Sequence, residues 1–239
     1  MLDVFASIQG EGAYAGEPQA FVRLAGCPLR CRWCDTPSSW RVTREPGPVD
    51  DVAARVRALD GARPRTVSIT GGEPLLWPEF VRDLARALQP RRVHLETAGA
   101  HPAELSSVID AIDHVSLDLK LPLDLDPVEE VEEAEAAPAP RDEAEWTAAR
   151  RAALSLVAGR DACGKLILAR GRTPADFAPL LADVLAVAPD LPLVVQPVTP
   201  MRGVAAPSTG ELFALVEDVR ARGLAVRALP QVHRALHIP

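Results

Sequence analysis

The stretch Phe21-Val-Arg-Leu-Ala-Gly-Cys-Pro-Leu-Arg-Cys-Arg-Trp-Cys-Asp-Thr36 joins an apolar run to a loop rich in thiols. Residues 20–25 predict a buried strand, Gly26 a turn, and Cys27, Cys31 and Cys34 then fall within eight residues. Three thiolates on one short loop can converge on a soft metal centre, either an iron–sulfur cluster or zinc. A structural zinc site is normally closed by four protein ligands. This loop offers three, with no fourth Cys nearby. Three ligands on a four-iron cluster would leave one iron open to a substrate or cosubstrate. A zinc knuckle completed by a distant His or by Cys163, and buried free thiols, remain the alternatives at this point.

Working outward, the same strand-then-loop pattern repeats. Strands are predicted at 65–70, 92–96, 114–119, 163–169, 191–196 and 224–228. Helices are predicted at 49–59, 78–88, 102–112, 145–158, 174–188 and 208–222, from apolar residues at helical spacing. Strand–helix alternation implies a parallel sheet with right-handed crossovers. The Cys loop, Gly71-Gly72-Glu73, Thr97, Lys120 and Gln196 all follow or end strands. In an α/β barrel those positions share the carboxyl edge, where active sites form.

The chain has 239 residues, which fits one α/β domain as well as two small ones, and a formal net charge of −7. No Lys/Arg-rich run offers a phosphate-backbone footprint, so no nucleic-acid partner is expected. No basic leader with an apolar core and no run of about 18 apolar residues is found, so neither a signal peptide nor a membrane span is expected. Three of four Cys are clustered, which points to metal ligation in a reducing compartment rather than to disulfides.

Several residues stand out singly. Ser7-Ile-Gln-Gly-Glu-Gly12 sets glycines around a carboxylate, as a tight turn or a loop approaching a ligand would. Arg23, inside an apolar strand, needs a partner: a ligand carboxylate held by its fork, or a structural Asp or Glu. Gly71-Gly72 can expose backbone to an amino-acid-like ligand, and no Gly-Lys-Ser/Thr follows to make it a phosphate loop. Residues 121–144 are rich in Pro, Ala and acid and read as a solvated loop or lid with little chemistry of its own. His94, His101 and His114 read as structural or surface groups, and Cys163 as a small core hydrophobe.

The Cys-x3-Cys-x2-Cys spacing with Trp33 before the last Cys resembles the cluster loop of the radical S-adenosylmethionine superfamily. Gln9-Gly-Glu-Gly12, Thr70-Gly-Gly-Glu-Pro74, Glu96-Thr97-x-Gly99 and the ending Gln231-Val-His-Arg-Ala-Leu-His-Ile-Pro239 occur in the order seen in 7-carboxy-7-deazaguanine synthases. The likeness spans the chain except residues 121–160. It implies a partial, modified TIM-type (β/α)6 barrel over 1–239, with 121–145 as a variable insertion. Lys120 follows Asp-Leu where many such sequences carry Ser-Pro-Lys, a departure at 118–119.

The resemblance implies the following roles. Cys27, Cys31 and Cys34 would hold a 4Fe–4S cluster whose open iron binds S-adenosylmethionine. Trp33, Cys34, Asp35, Gly72, Glu73, Gly99, Asp118, Lys120 and Gln196 would lie near that cosubstrate, and Thr36 would bind Mg2+. Ile8, Gln9, Gly10, Glu11, Arg23, Thr97, His233 and the Pro239 carboxylate would bind substrate, with Glu11 and Arg23 also catalytic. The implied reaction contracts 6-carboxy-5,6,7,8-tetrahydropterin to 7-carboxy-7-deazaguanine with loss of ammonia. A 5′-deoxyadenosyl radical would take hydrogen from substrate C6, with Mg2+ as Lewis acid. Arg23 would then pair with the substrate carboxylate. A flavodoxin-like or ferredoxin-like electron donor, a homodimer and a cytoplasmic location are implied as well. The rival readings are a glycyl-radical-enzyme activase and a zinc-binding interaction module.

Overall fold

The computed structural model describes residues 3–41, 45–61, 65–127 and 139–238. One sheet of eight strands, in sequence order, runs through them. Strand β1 (Asp3–Ile8) pairs antiparallel with β2 (Pro18–Leu24), and every later pairing is parallel. The later strands are β3 (Thr66–Gly71), β4 (Val93–Thr97), β5 (His114–Asp118), β6 (Ala162–Leu168), β7 (Leu193–Pro197) and β8 (Val226–Ala228).

Helices α1 (Val49–Ala58), α2 (Pro78–Ala87), α3 (Pro102–Val108), α4 (Glu143–Val157), α5 (Pro174–Val187) and α6 (Thr209–Ala221) alternate with β2 to β8, making six β/α units. This is the (β/α)6 arrangement expected, framed by two strands of which β1 lies outside the expected set. A last short helix, α7 (Val232–Ala235), was also not expected. Among the described residues, no helix is long and apolar enough to cross a membrane.

Each strand's two-residue period separates two different interiors. Val22 and Leu24, Val67 and Ile69, Val93 and Leu95, Val115 and Leu117, Leu166 and Leu168, and Leu193 and Val195 join the helix-covered apolar core. The alternate positions, among them Gln19 and Arg23, Ser68 and Thr70, His94 and Glu96, His114, Ser116 and Asp118, Cys163 and Lys165, and Gln196, are largely polar. The inner face of this sheet is therefore hydrophilic, and it must be satisfied by internal partners or by ligands.

At the amino ends of the strands much of it pairs internally, while His94 Nε2 has no partner among the described residues. The rings of Tyr14, His94 and His114 lie 4.6–4.9 Å apart centre to centre. Asp161 accepts from Tyr14 Oη at 2.6 Å and from Arg92 at 2.8 Å, and lies 2.9 Å from His114 Nδ1. His94, His101 and His114 are all buried. Cys163 is buried as expected, but its Sγ lies 3.5 Å from Ser116 Oγ and 3.8 Å from His114 Nε2. It belongs to this polar plug rather than to the apolar core.

The start of the segment after β5 is more than the solvated loop or lid expected. Residues 121–127 are stitched to the cysteine loop: Cys31 and Leu125 form an isolated antiparallel bridge, and Arg32 N and Asp126 N donate to Asp124 O and Arg30 O. Asp124 is buried and paired with Arg172 at 2.5 Å. Helix α4 begins at Glu143 because Asp142 caps it, accepting from Glu145 N at 2.8 Å. Residues 128–138, the centre of the acidic stretch, lie outside the described residues.

Candidate active site

The carboxyl ends of the strands surround an open cleft, the usual place for a site on such a fold. Of the residues expected at a site, Ile8, Gly10, Glu11, Arg23, Cys27, Cys31, Trp33, Cys34, Asp35, Thr36, Gly72, Thr97, Asp118, Lys120, Gln196 and His233 line it. Gln9, Glu73 and Gly99 stand just behind its wall. Pro239, the expected carboxylate ligand, lies outside the described residues.

The cysteine loop reaches the cleft because β2 ends beneath it. Gly26 N and Cys27 N donate to Ser39 O and Trp40 O, which closes the loop on itself. The loop after β3 packs directly on this turn. Gly72 N and Glu73 N donate to Leu24 O and Gly26 O, and a Cβ at Gly72 would lie 2.1 Å from Gly26 O. Gly72 is thus needed for close approach of two backbones, and these amides are already used within the fold.

Glu73 is fully buried and accepts from Leu75 N at 3.0 Å, Thr97 Oγ1 at 2.8 Å and Ala98 N at 2.8 Å. Burial pushes its carboxyl up against those donors. It joins the ends of β3 and β4 and holds Thr97 at the cleft wall. Gln9 plays a similar part, donating to Glu96 Oε1 at 2.9 Å.

The three thiols are free. Burial pushes Cys27 up to about 12 and raises Cys31 as well. Among the described residues, no three His, Cys, Asp or Glu side chains are placed to hold a single metal ion. Three thiols facing one cleft without converging on a point suit a polynuclear cluster better than a zinc ion, whose ligands must meet at one centre. Gln196 Oε1 is buried at the cleft without a partner, an acceptor left for a ligand. At the mouth, Thr36 Oγ1 donates to Asp35 Oδ1 at 3.0 Å, a pair of hard oxygen donors of the kind Mg2+ takes.

Charge in the cleft is organised as a chain. Lys165 Nζ lies 2.7 Å from Glu11 Oε2 and 2.8 Å from Asp118 Oδ1, and Lys120 Nζ donates to Asp118 Oδ2 at 2.7 Å. Burial works to raise the Asp118 carboxyl, but Lys120 and Lys165 hold it at about 2. Burial likewise opposes ionisation of Glu11, and the Lys165 ammonium overcomes it, holding that carboxyl below its ordinary value. Gln231 Nε2 donates to Glu11 Oε1 at 2.8 Å and to Asp35 Oδ2 at 3.2 Å, so residue 231 ties the loop after β1 to the cysteine loop.

Arg23 stands apart from this chain. Its guanidinium lies 4.9 Å over the Phe5 ring, and no carboxylate pairs with it among the described residues. Glu96 also lines the cleft, held by Gln9, by Ser68 Oγ at 3.0 Å and by Thr70 Oγ1 at 3.3 Å. Glu96, Lys165 and Gln231 were not among the expected site residues. A polar side chain at an inner position of an otherwise apolar strand is the signal that marks the first two.

A strand-ended cleft lined by three thiols and an unsatisfied acceptor on a partial β/α barrel marks a radical S-adenosylmethionine protein. Residues 22–139 match the Radical SAM superfamily. Beyond the superfamily, the chain belongs to the 7-carboxy-7-deazaguanine synthase family. A relative of that name from Geobacter sulfurreducens is 31% identical over 253 residues, covering 97% of this chain and 94% of its own. Relatives of the same name from Methanothermobacter thermautotrophicus and Pyrobaculum aerophilum are 39% and 44% identical. Those two matches cover 51% and 47% of this chain and only about half of each relative, 49% and 52%.

Among solved structures, QueE from Escherichia coli has a TM-score of 0.59 at 22% identity, covering 95% of this chain and 91% of that one. A radical SAM methyltransferase from Sphaerobacter thermophilus reaches 0.64 at 16% identity, covering 95% and 77%. Both likenesses show the fold.

Proposed function

We propose that this protein contracts the ring of 6-carboxy-5,6,7,8-tetrahydropterin to 7-carboxy-7-deazaguanine, with loss of ammonia. The observation that carries the reading is the company of the three thiols: Arg23, Glu11 and the orphaned Gln196 oxygen line the same cleft. A zinc module would need none of them. Cys27, Cys31 and Cys34 would hold a 4Fe–4S cluster, and Trp33, Asp118, Lys120 and Gln196 would surround S-adenosylmethionine, with Gly72, Glu73 and Gly99 shaping that side. When bound, cluster and cosubstrate supply a one-electron cleavage that generates the carbon radical needed to start the reaction.

The chain's own share is binding, orientation and exclusion of water. Arg23 takes the substrate carboxylate with its fork, which would complete a cation that lacks a carboxylate partner among the described residues. Ile8, Gln9, Gly10, Glu11, Thr97 and His233 bind the ring system, joined by the Pro239 carboxylate. Glu11 stays ionised because Lys165 and Gln231 occupy both its oxygens, so it accepts from substrate N–H groups in a fixed direction. Lys165 and Lys120 are raised above their ordinary values by the carboxylates around them, against burial. They keep their protons and act as fixed cations rather than as acids. Trp33 packs with Ile167, Ala169 and Val198 and walls one side of the cleft against water.

Thr36, beside Asp35, would bind Mg2+. The working protein is a single domain, a cytoplasmic homodimer reduced by a flavodoxin-like or ferredoxin-like donor. Anaerobic purification followed by iron, sulfide and zinc analysis tests the site. About four irons and four sulfides per chain are expected, whereas one zinc with neither overturns the reading. Adding a few residues after Pro239 tests the role given to its carboxylate: turnover of the pterin should be lost, and an unaltered rate would remove that carboxylate from the substrate site.

A further inference from the structure

Lys165 is a long cation fixed by packing rather than by solvent. It sits on the inner face of β6 and is 2% exposed, an arrangement that is costly unless the charge is fully paired. Its partners come from different parts of the chain, 154 and 47 residues away in sequence. Glu11 lies on the loop after β1, on the side read as substrate-binding. Asp118 ends β5, beside Lys120, on the side read as cosubstrate-binding. A carboxylate on a loop has many rotamers, and one on a strand end has few. Tying the first to the second through one ammonium removes the loop's freedom.

We propose that Lys165 is a positioning residue that sets the geometry of both halves of the cleft at once, acting through the Glu11 and Asp118 carboxylates. The inference rests on the reading of the cleft above and adds a residue to it. A plain structural strut would stabilise the fold without altering how the folded protein binds either ligand. A positioning residue changes both affinities, and it does so only while its two carboxylates are present.

The test uses the full chain with its cluster reconstituted, and isothermal titration with S-adenosylmethionine and with carboxytetrahydropterin. Lys165→Met should weaken each ligand about 10- to 100-fold, the scale of a lost charge-assisted hydrogen bond. In a Glu11→Gln background the further loss for the pterin should shrink to about twofold or less. In an Asp118→Asn background the loss for S-adenosylmethionine should shrink likewise. Lys165→Arg, which keeps the cation, should recover part of both affinities.

Wild-type affinities in Lys165→Met, whatever its melting temperature, would overturn the proposal, as would losses that simply add in both double variants. If Lys165→Met does not fold, the Glu11→Gln/Lys165→Met variant leaves Asp118 paired with Lys120 alone. Its affinity for the pterin should match that of Glu11→Gln, and a further loss of about tenfold would contradict action through Glu11. A wild-type protein that binds S-adenosylmethionine but no pterin would count against the functional reading instead, leaving the Asp118 arm of the cycle as a test of Lys165.

Discussion

His233 Nδ1 occupies the space in which any side chain at Gly10 would begin: a Cβ built there would lie 1.7 Å from that nitrogen. Val232 N donates to Gly10 O at 2.9 Å, so the last helix is docked on the Gln9-Gly10-Glu11 loop by both backbone and ring. Gly10→Ala should therefore displace His233 and the tail while leaving the sheet intact. We expect pterin affinity to fall about tenfold or more and S-adenosylmethionine affinity to hold. Hydrogen exchange should show 231–238 opening, and unchanged protection there would contradict the docking.

Arg23 is the cleft cation without a carboxylate partner among the described residues. Arg23→Met should weaken the pterin about 10- to 100-fold, as expected for loss of a charge-assisted bidentate contact. A pterin analogue lacking the carboxylate should lose the same affinity against wild type and lose little more against the variant. Equal discrimination by both proteins would show that Arg23 does not face that group.

Asp124 supports the cysteine loop from below. Its side chain pairs with Arg172 and its carbonyl accepts from Arg32 N at 3.2 Å. Asp124→Ala should cost about 1–2 kcal/mol of stability, because Arg172 is partly exposed and can turn to water. It should also speed iron loss to a chelator. Stability falling with no change in iron release would separate the segment from the loop it is bridged to.

The polar plug gives the fold an acid limit. Burial, then His114 and Arg92, hold the His94 imidazole down to about 3 against the pull of Asp161, from an ordinary value of 6.5. His114 is lowered too, by burial against its hydrogen bond to Asp161. His94 is neutral in the fold yet takes a proton when unfolded. Its share of stability is complete above about 6.5 and is lost as pH falls from there toward 3, by at most about 1.4 kcal/mol per unit. The melting temperature should fall between pH 6.5 and 5, and His94→Gln should flatten that slope. An identical slope in the variant would contradict the assignment.

Much of this architecture was legible because strand–helix alternation and strand-end motifs report on backbone periodicity, which tertiary packing then reinforces. The cysteine loop and Gly72 declared themselves through residue type. Strand β1 did not: it is an edge strand whose alternation is interrupted, Ala6 being exposed although it shares a face with buried Val4. Helix α7 is four residues long and is held by Gly10 rather than by its own pattern. Lys165 was hidden inside Cys163-Gly-Lys-Leu-Ile-Leu-Ala169, although the argument that singled out Arg23 applied to it equally. Its partners, Glu11 and Asp118, are distant in sequence, and no local spacing announces such a pairing. Residues 121–127 were masked by the acidic composition that follows them, which says nothing about the backbone bridge to Cys31.

Turnover decides whether the cysteine cleft performs a pterin ring contraction. Cluster-reconstituted protein would be incubated anaerobically with reductant, S-adenosylmethionine, Mg2+ and 6-carboxy-5,6,7,8-tetrahydropterin, with products followed by mass spectrometry. 7-Carboxy-7-deazaguanine and ammonia should form in equal amounts, and both should be lost in Cys31→Ser. Intact cluster with S-adenosylmethionine cleaved and the pterin untouched would contradict that activity.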